Sequence, residues 1–385
     1  MSLRDRLGVV DKADATNVRK TLFKKFGFIR NPFPPAGEPS GHPHLEITAE
    51  EKVVTAIETF NRDRSSQVLL IEGTQGVGKT NLLNYYQHEL EQLYEGSEDF
   101  YIIRYYPDPE ASFEGIIRRL FQEFHQSGLL ERLATTLAGL DRTRRDEIID
   151  SALSHEVRVV LNCLNKAAQA SKDELQVVAN LAFEWLAGMR ILNKHREQIQ
   201  VHFRLDTVES KTQAFRDLVF CSSKAGLLSG IFLLLDELEK QDYSLSKTIV
   251  LRYLSAIRAL IDALPKHLFL LIALTIEARR RYFTMLPALA GRLQNIVVLK
   301  PLTSAEEAQR LSDFYLDLAK RSAEEEALKS WGTPGTTLAL TKSEIRELFS
   351  TLNKRAAARA QEGVTPRDFL QALHFEAEQK IKAVA

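Results

Sequence analysis

Residues Gln67–Asn81 have the sequence QVLLIEGTQGVGKTN, and this stretch decides the fold. The first part, Gln67–Glu72, is a short apolar run between polar residues, which is typical of a buried parallel strand. Gly73–Thr80 then fits the pattern G-x4-G-K-[ST], and helical periodicity follows from Thr80 to Tyr94. A strand, a glycine-rich loop and a helix in this order predict a phosphate-binding loop.

The residue types in this loop suit nucleotide chemistry. Glycines let backbone N–H groups curl around phosphates, and the N-terminus of the following helix faces the same charges. Lys79 would reach the terminal phosphates, and the Thr80 hydroxyl would bind Mg²⁺. We therefore predict ATP and Mg²⁺ as cofactors. The residues expected to contact the nucleotide here are Gly73, Thr74, Gln75, Gly76, Val77, Gly78, Lys79, Thr80 and Asn81.

A second apolar run, Gly230–Leu235, leads directly into the acids Asp236 and Glu237. Sheets of the α/β type hold their ligands at the carboxyl ends of their strands. We expect Asp236 to hold the Mg²⁺ shell and Glu237 to orient and deprotonate the attacking water. Adjacent acids after a strand also serve as plain helix caps, and Glu239 is a less favoured candidate for the base.

Strands and helices alternate along much of the chain. Helical periodicity predicts helices at Thr48–Arg62 and Ser246–Leu264, and further apolar runs predict three more strands. This alternation implies a three-layer α/β fold with a parallel sheet and right-handed crossovers. The three further strands are Tyr101–Tyr106, His267–Thr275 and Asn295–Leu299.

A long helical stretch interrupts the alternation, because Ser112–Gly226 has helical periodicity and almost no strand signal. We predict three parts of the chain. Residues 1–47 form a basic N-terminal arm and linker, and residues 48–303 form a nucleotide-binding core in which 112–226 is a largely helical insertion. Residues 304–385 form a helical lid. The arm fits a nucleic-acid contact, although a solvated helix face is the favoured interpretation.

Composition limits the classes of function. Lys and Arg total 51, as do Asp and Glu, so the zero net charge indicates no overall attraction to nucleic acid or membranes. Cys163 and Cys221 lack the paired spacing of a zinc site or disulfide framework. No apolar run reaches the roughly 18 residues of a spanning helix, and Met1–Val10 contains no signal-peptide core. We predict a cytoplasmic protein without membrane contact.

The glycine-rich loop and the acid pair resemble the AAA+ superfamily of P-loop ATPases, particularly its origin-initiator and transposition-regulator branch. The resemblance covers about residues 31–374. It implies a polar sensor at the end of the next strand, where Thr275 stands, although an ordinary strand-end threonine also fits. It also implies an arginine just before the fifth strand that reaches into a neighbouring subunit's ATP. Arg292, in the sequence AGRLQ, matches that position.

Two further segments resemble this branch. Gly363–Asp368, with the sequence GVTPRD, is similar to the second sensor of the lid, which implies that Arg367 contacts the bound phosphates in the same subunit. Helix capping by Thr365 and Pro366 explains the segment as well. Phe28–Phe33 resembles the linker that wraps the adenine, so Pro32 and Phe33 are expected near the base. A linker that is simply clamped to the protein is the alternative.

A looser resemblance concerns biological setting. The sequence FEWLAG at Phe183–Gly188, together with AGLLSGIFLLLDELEK at Ala225–Lys240, is similar to ATP-binding proteins of BREX phage-defence systems. A core helix with a buried Trp185 is the favoured interpretation of the first segment.

The sequence therefore predicts an ATP-hydrolysing homo-oligomer that acts as a nucleotide-dependent switch or loader on DNA or a DNA-bound protein, in phage defence or mobile-element biology. The alternative is a signalling or scaffolding protein that binds ATP tightly and hardly turns it over. Glu237 favours the first hypothesis, because it is a base ready for hydrolysis. The predicted catalytic residues are Glu237, Lys79, Arg292, Thr275 and Arg367.

Overall fold

The computed structural model describes residues 23, 26–35, 44–106, 112–239, 245–330 and 340–384. Of these, residues 48, 323–330 and 381–384 are described by their backbone alone. Most of the predicted basic arm lies outside the described residues. None of the described helices combines the length and apolar character that crossing a bilayer needs.

A parallel five-stranded sheet organises the chain from Gln67 to Val298. Its strands are β1 (Gln67–Glu72), β2 (Phe100–Tyr105), β3 (Gly230–Leu235), β4 (Leu268–Leu274) and β5 (Asn295–Val298). They lie in the order β2-β3-β4-β1-β5, and every neighbouring pair is parallel. The predicted α/β fold with a parallel sheet and flanking helices is confirmed.

The ends of three strands differ from the prediction by one residue. His267 and Thr275 fall outside β4, because His267 has a φ of 72° and Thr275 is the N-cap of the next helix. Phe100 joins β2 and Tyr106 leaves it. Leu299 lies beyond β5, since the neighbouring strand β1 has already ended.

The central strand β4 and its neighbour β3 are buried along their whole length. Their sequences, GIFLLL and LFLLIAL, carry no polar side chain, which is what a strand covered on both faces requires. The edge strand β5 is different, because it exposes Asn295 and Val298. Polar side chains of the central strands can therefore appear only where the strands end.

The α-helices follow the order of the chain. Before the long helical stretch lie α1 (Glu51–Asp63) and α2 (Lys79–Leu93). The stretch itself contains α3 (Phe113–Gln126), α4 (Leu129–Gly139), α5 (Arg142–Ile149), α6 (His155–Ala170), α7 (Lys172–Leu186), α8 (Asn193–Gln198) and α9 (Val208–Lys224). After it come α10 (Lys247–Ala263), α11 (Ile276–Met285), α12 (Pro287–Ala290), α13 (Ala305–Ser330), α14 (Lys342–Ala358) and α15 (Pro366–Val384).

The chain divides into two compact units. The sheet unit comprises Thr48–Gly73 and Leu82–Val298, and the loop unit comprises Met1–Ile47, Thr74–Asn81 and Leu299–Ala385. Each unit has a hydrophobic core of its own. The predicted division into arm, core and lid stays a prediction.

The core of the loop unit is built on aromatic residues. Phe28, Phe33 and Phe369 are fully buried, and the rings of Phe349 and Phe369 meet edge to face at 6.0 Å. An antiparallel bridge joins Leu302 to Val364, with N···O distances of 2.8 and 2.9 Å. This core ties the segment that precedes β1 to the helices at the end of the chain, within one unit.

The helical stretch shares one hydrophobic core with the sheet. Residues 112–226 form seven helices and no strand, as their periodicity predicts. Phe215 of α9 is fully buried, stacks on Phe124 at 5.3 Å and meets Phe121 edge to face at 5.7 Å. Trp185 of α7 is 1% exposed, and its Nε1 donates to Phe203 O at 2.9 Å. Trp185 is therefore the core residue that the favoured interpretation predicted.

Because this core is continuous, Phe215→Ala should destabilise the sheet as well as the helices. We expect the free energy of unfolding to fall by about 3–5 kcal/mol, as for other buried phenylalanines. Urea unfolding followed by circular dichroism measures the loss. Phe203→Ala is the matched control, since Phe203 is 70% exposed and should change stability by less than about 0.5 kcal/mol. An early, separate transition of the helices would contradict the shared core.

Candidate functional site

The glycine-rich loop has backbone angles that explain its glycines. Gly76 has a φ of 85° and Gly78 a φ of 106°, in the left-handed region that other residues rarely adopt. The chain passes from β1 through this loop to Lys79, where α2 begins. Glycines at two such angles curl the backbone ahead of a helix N-terminus, which is the arrangement that binds phosphate.

The predicted second sensor lies against this loop, within the loop unit. Arg367 N donates to Gly76 O at 3.2 Å. A Cβ atom on residue 76 would lie 3.2 Å from Thr365 Oγ1 and 3.3 Å from Arg367 Cβ. Thr365 also accepts a hydrogen bond from Asp368 N at 3.1 Å, and Pro366 starts α15, so the capping interpretation holds too. The Arg367 side chain is exposed, and its contact with phosphate stays a prediction.

The role of a phosphate-binding lysine depends on where its amine lies. Lys79 Nζ donates to Thr74 O at 3.1 Å, across the loop. Thr80 and Asn81 are half-buried, and Val77 is buried. The amine is thus kept beside the backbone that would surround a phosphate.

Asp236 stands at the carboxyl end of β3 and is 1% exposed. Its Oδ1 accepts a hydrogen bond from Glu237 N at 2.9 Å. Its Oδ2 is paired with Arg104 Nη2 at 2.8 Å, and the two side chains are 2% and 6% exposed. Asp236 is therefore a buried carboxylate whose charge is balanced by a buried arginine.

Glu237 has the backbone strain that often marks a functional position. Its φ of 49° lies in the left-handed region, which costs a glutamate on the order of 1 kcal/mol. Its side chain is exposed, as a base that must meet water has to be. Glu239 Oε1 instead accepts from Thr275 N at 2.9 Å, so Glu239 is occupied at the start of α11.

Thr275 and Glu72 lie at the same carboxyl edge of the sheet as Asp236. Thr275 Oγ1 accepts from Ala278 N at 3.2 Å, which makes it the N-cap of α11. The ordinary strand-end interpretation is therefore realised, and a sensor role stays a prediction. Glu72, the last residue of β1, is buried and pairs with Arg279 Nε at 2.7 Å.

Arg292 is paired within its own chain. Its Nε lies 2.9 Å from Asp262 Oδ1 and its Nη2 lies 3.2 Å from Asp262 Oδ2. Partial desolvation acts to raise the pKa of Asp262, but hydrogen bonds from Arg292 and Arg258 hold that pKa below its ordinary value. The side chains of Arg292 and Asp262 are 39% and 37% exposed. The role of Arg292 in a neighbouring subunit stays a prediction.

Pro32 and Phe33 are both buried in the loop unit. Asn31 Nδ2 donates to His374 O at 3.0 Å, and His374 Nδ1 donates to Phe33 O at 2.7 Å. These contacts fasten the linker to α15, as the clamp interpretation predicts. The adenine contact stays a prediction without support from this arrangement.

Sequence reasoning missed the two arginines at the sheet edge. Arg104 interrupts the apolar run YIIRYY, and a lone cation in such a run is a usable signal of a buried pair. Arg279 belongs to the triplet Arg279–Arg281, which nothing in the sequence distinguishes from a solvated helix face. Their partners could not be named, because pairing across the sheet depends on the order of the strands.

Each of the two units contains an oxygen side chain of the kind that Mg²⁺ takes together with a nucleotide. Among the described residues, no group of three or more His, Cys, Asp or Glu is placed to hold a metal ion alone. Mg²⁺ usually takes one or two protein oxygens together with phosphates and water. The Thr80 hydroxyl of the loop unit is a donor of that kind, and so, separately, is the Asp236 carboxylate of the sheet unit.

Comparison with known proteins adds little to this geometry. No protein-family model matches the chain, and no curated protein matches it. Among solved structures, a Walker-type ATPase of Pyrococcus abyssi is similar, with a TM-score of 0.35 and 14% identity over 86% of this chain and 70% of that one.

Gly76→Ala should destabilise the loop unit, because the new methyl group meets Thr365 and Arg367 on a backbone that L residues avoid. We expect the free energy of unfolding to fall by about 1–3 kcal/mol. Thermal unfolding and limited proteolysis measure this effect. Gly139→Ala is the matched control, since a Cβ atom there has no neighbour within 4 Å and the residue lies in α4. Equal stability of the two variants would contradict the close contact.

Proposed function

We propose that this chain is an ATPase that binds ATP with Mg²⁺ and hydrolyses it to ADP and phosphate. The observation that carries the proposal is the glycine-rich loop, with Gly76 and Gly78 at positive φ between β1 and α2. Asp236 and Glu237, directly after β3, support the proposal that the bound ATP is also hydrolysed.

In the binding step, backbone N–H groups of the loop and the N-terminus of α2 attract the phosphates. Lys79 adds a positive charge to the terminal phosphates, and its present bond to Thr74 O shows that the amine reaches across the loop. Thr80 supplies a hydroxyl to Mg²⁺. When bound there, Mg²⁺ would supply positive charge that offsets the phosphate charge, which favours attack on the terminal phosphoryl group.

In the hydrolytic step, Asp236 supplies a carboxylate to the metal's water shell and Glu237 orients the attacking water. The exposure of Glu237 and its left-handed backbone favour this role over that of a helix cap. Thr275 acts as a polar sensor of the phosphates, and Arg367 stabilises their charge from its place beside Gly76.

The finer proposal is an AAA+ homo-oligomer that works as an ATP-dependent switch or loader on DNA or a protein–DNA complex, in phage defence or mobile-element biology. Its support is the sequence resemblance, in particular Arg292 before β5 and Arg367 after Thr365. Arg292 would leave Asp262 for the ATP of a neighbouring subunit. Half-exposed ion pairs of this kind contribute only about 0–1 kcal/mol, so a subunit contact can redirect the arginine.

Two variants test binding and hydrolysis separately. Lys79→Ala should abolish binding of a fluorescent ATP analogue, because the loop loses its cation. Glu237→Gln should bind the analogue normally but hydrolyse ATP roughly 10²–10⁴ times more slowly, because the base is gone. Equilibrium titration and steady-state phosphate release measure the two effects.

Each variant is the control for the other, provided that circular dichroism shows both to be folded. Parental affinity in folded Lys79→Ala would refute the assignment of the loop. Near-parental turnover in Glu237→Gln would move the base to Glu239 or elsewhere and leave only the binding step of the proposal.

Subunit mixing tests the role of Arg292. Arg292→Ala should nearly silence hydrolysis while ATP affinity stays close to parental, since an arginine finger contributes about 10³–10⁵ in rate. Mixing this variant with Glu237→Gln should restore measurable activity that grows with protein concentration, because some shared sites then contain both residues.

Arg258→Ala is the matched control for this experiment. Arg258 Nε lies 3.3 Å from the same Asp262, so this variant removes an equal charge from the same surface without touching the predicted finger. It should keep parental activity alone. If light scattering shows that the two variants assemble together but activity does not recover, the assignment of Arg292 to a neighbouring subunit's site is wrong.

A further inference from the structure

Arg104 is the charged residue of β2. Its guanidinium group is buried, and only part of its hydrogen-bonding capacity is used. Its side chain is 6% exposed, and Nη2 is bonded to Asp236 Oδ2 at 2.8 Å. Within the described part of the chain, its Nε and Nη1 are buried without a hydrogen-bond partner. The guanidinium lies 4.7 Å from the ring centroid of Tyr106, which supplies a cation–π contact.

Stability alone does not account for such a residue. Buried donors without partners are unfavourable, and a buried ion pair is often no more stable than apolar side chains of the same volume. The neighbours of Arg104 in YIIRYY show that an apolar or aromatic residue suits this strand. The arginine is therefore better explained by what it does to Asp236 than by what it adds to the core.

The position of Asp236 gives this pairing a chemical consequence. Both of its oxygens have partners on the protein, with Oδ1 bonded to Glu237 N and Oδ2 to Arg104. The two bonds fix the plane of the carboxylate at the end of β3. They also place a permanent positive charge beside the group that the proposed function assigns to the metal.

We propose that Arg104 is a positioning residue that orients Asp236 and, by sharing its negative charge, raises the Mg²⁺ concentration that nucleotide binding requires. This inference rests on the proposed function, because it assigns Asp236 to the metal. Positive charges at short range repel strongly in a buried setting, so the arginine weakens binding of the metal alone. Asp236 would then hold Mg²⁺ only together with the phosphates of a nucleotide, whose charge outweighs that of Arg104.

Arg104→Met tests the inference, because methionine fills a similar volume without the charge. Binding of a fluorescent ATP analogue is titrated at rising Mg²⁺ concentrations in the parental protein and the variant. We expect the Mg²⁺ concentration for half-maximal binding to fall roughly tenfold in Arg104→Met, while affinity at saturating Mg²⁺ changes little. Arg104→Lys restores the charge and should return the metal requirement towards the parental value.

A second measurement uses the metal without nucleotide. Mg²⁺ alone should raise the melting temperature of Arg104→Met more than that of the parental protein, because ligands that bind the folded state stabilise it. Arg216→Met is the matched control. Arg216 Nη1 lies 2.7 Å from the fully buried Asp217 on α9, so the variant removes a charge from another buried aspartate. Its metal requirement should equal that of the parental protein.

The outcomes separate this inference from the proposed function. If the parental protein fails to bind the analogue at any Mg²⁺ concentration, the proposed function falls. If the parental protein binds and folded Arg104→Met keeps the same metal requirement, the role of Arg104 is overturned. Loss of binding at saturating Mg²⁺ would also overturn it, because Arg104 would then contact the nucleotide. If Arg104→Met does not fold, Arg104→Gln takes its place, because glutamine removes the charge but keeps a hydrogen-bond donor for Asp236. An unchanged metal requirement in folded Arg104→Gln then refutes the inference.

Discussion

Burial of β3 and β4 on both faces is the constraint on which the rest of the structure depends. Strands so enclosed carry no polar side chain until they end, so Asp236 and Thr275 emerge together at one edge of the sheet. β1 lies beside β4 and delivers Glu72 and Gly73 to the same edge, where Gly73 N donates to Leu274 O at 3.4 Å. These polar side chains lie at this edge because the buried parts of the strands are apolar.

The carboxylates at this edge need counter-charges, since buried acids without partners are strongly disfavoured. Arg104 supplies one to Asp236 from inside β2, and Arg279 supplies one to Glu72 from the first turns of α11. Glu239 has a backbone partner instead, because its Oε1 accepts a hydrogen bond from Thr275 N. Only Glu237 among these acids points to solvent, on a strained backbone, which sets it apart as the group able to meet a water molecule.

Much of this arrangement is predictable from the sequence. The other features are not predictable, because they depend on contacts between residues far apart in the chain. Local patterns identify β1, β3 and the helices of 112–226, because period and burial are properties of neighbouring residues. The glycine-rich loop is predictable because its backbone angles require glycine. The ion pairs of Arg104 and Arg292 are not, since each joins elements far apart in the chain. The burial of Phe33 likewise depends on α15, over three hundred residues away.

The position of the helical stretch between β2 and β3 also bears on how the protein folds. β2 and β3 pair along their whole length, yet more than a hundred residues separate them in the chain. Closing so long a loop carries an entropic penalty that grows with the logarithm of its length, and contacts between distant residues slow folding. Helices α3–α9 shorten the effective distance as they form, because local structure needs no distant partner. We therefore expect the helices that lie between β2 and β3 to condense before these two strands pair.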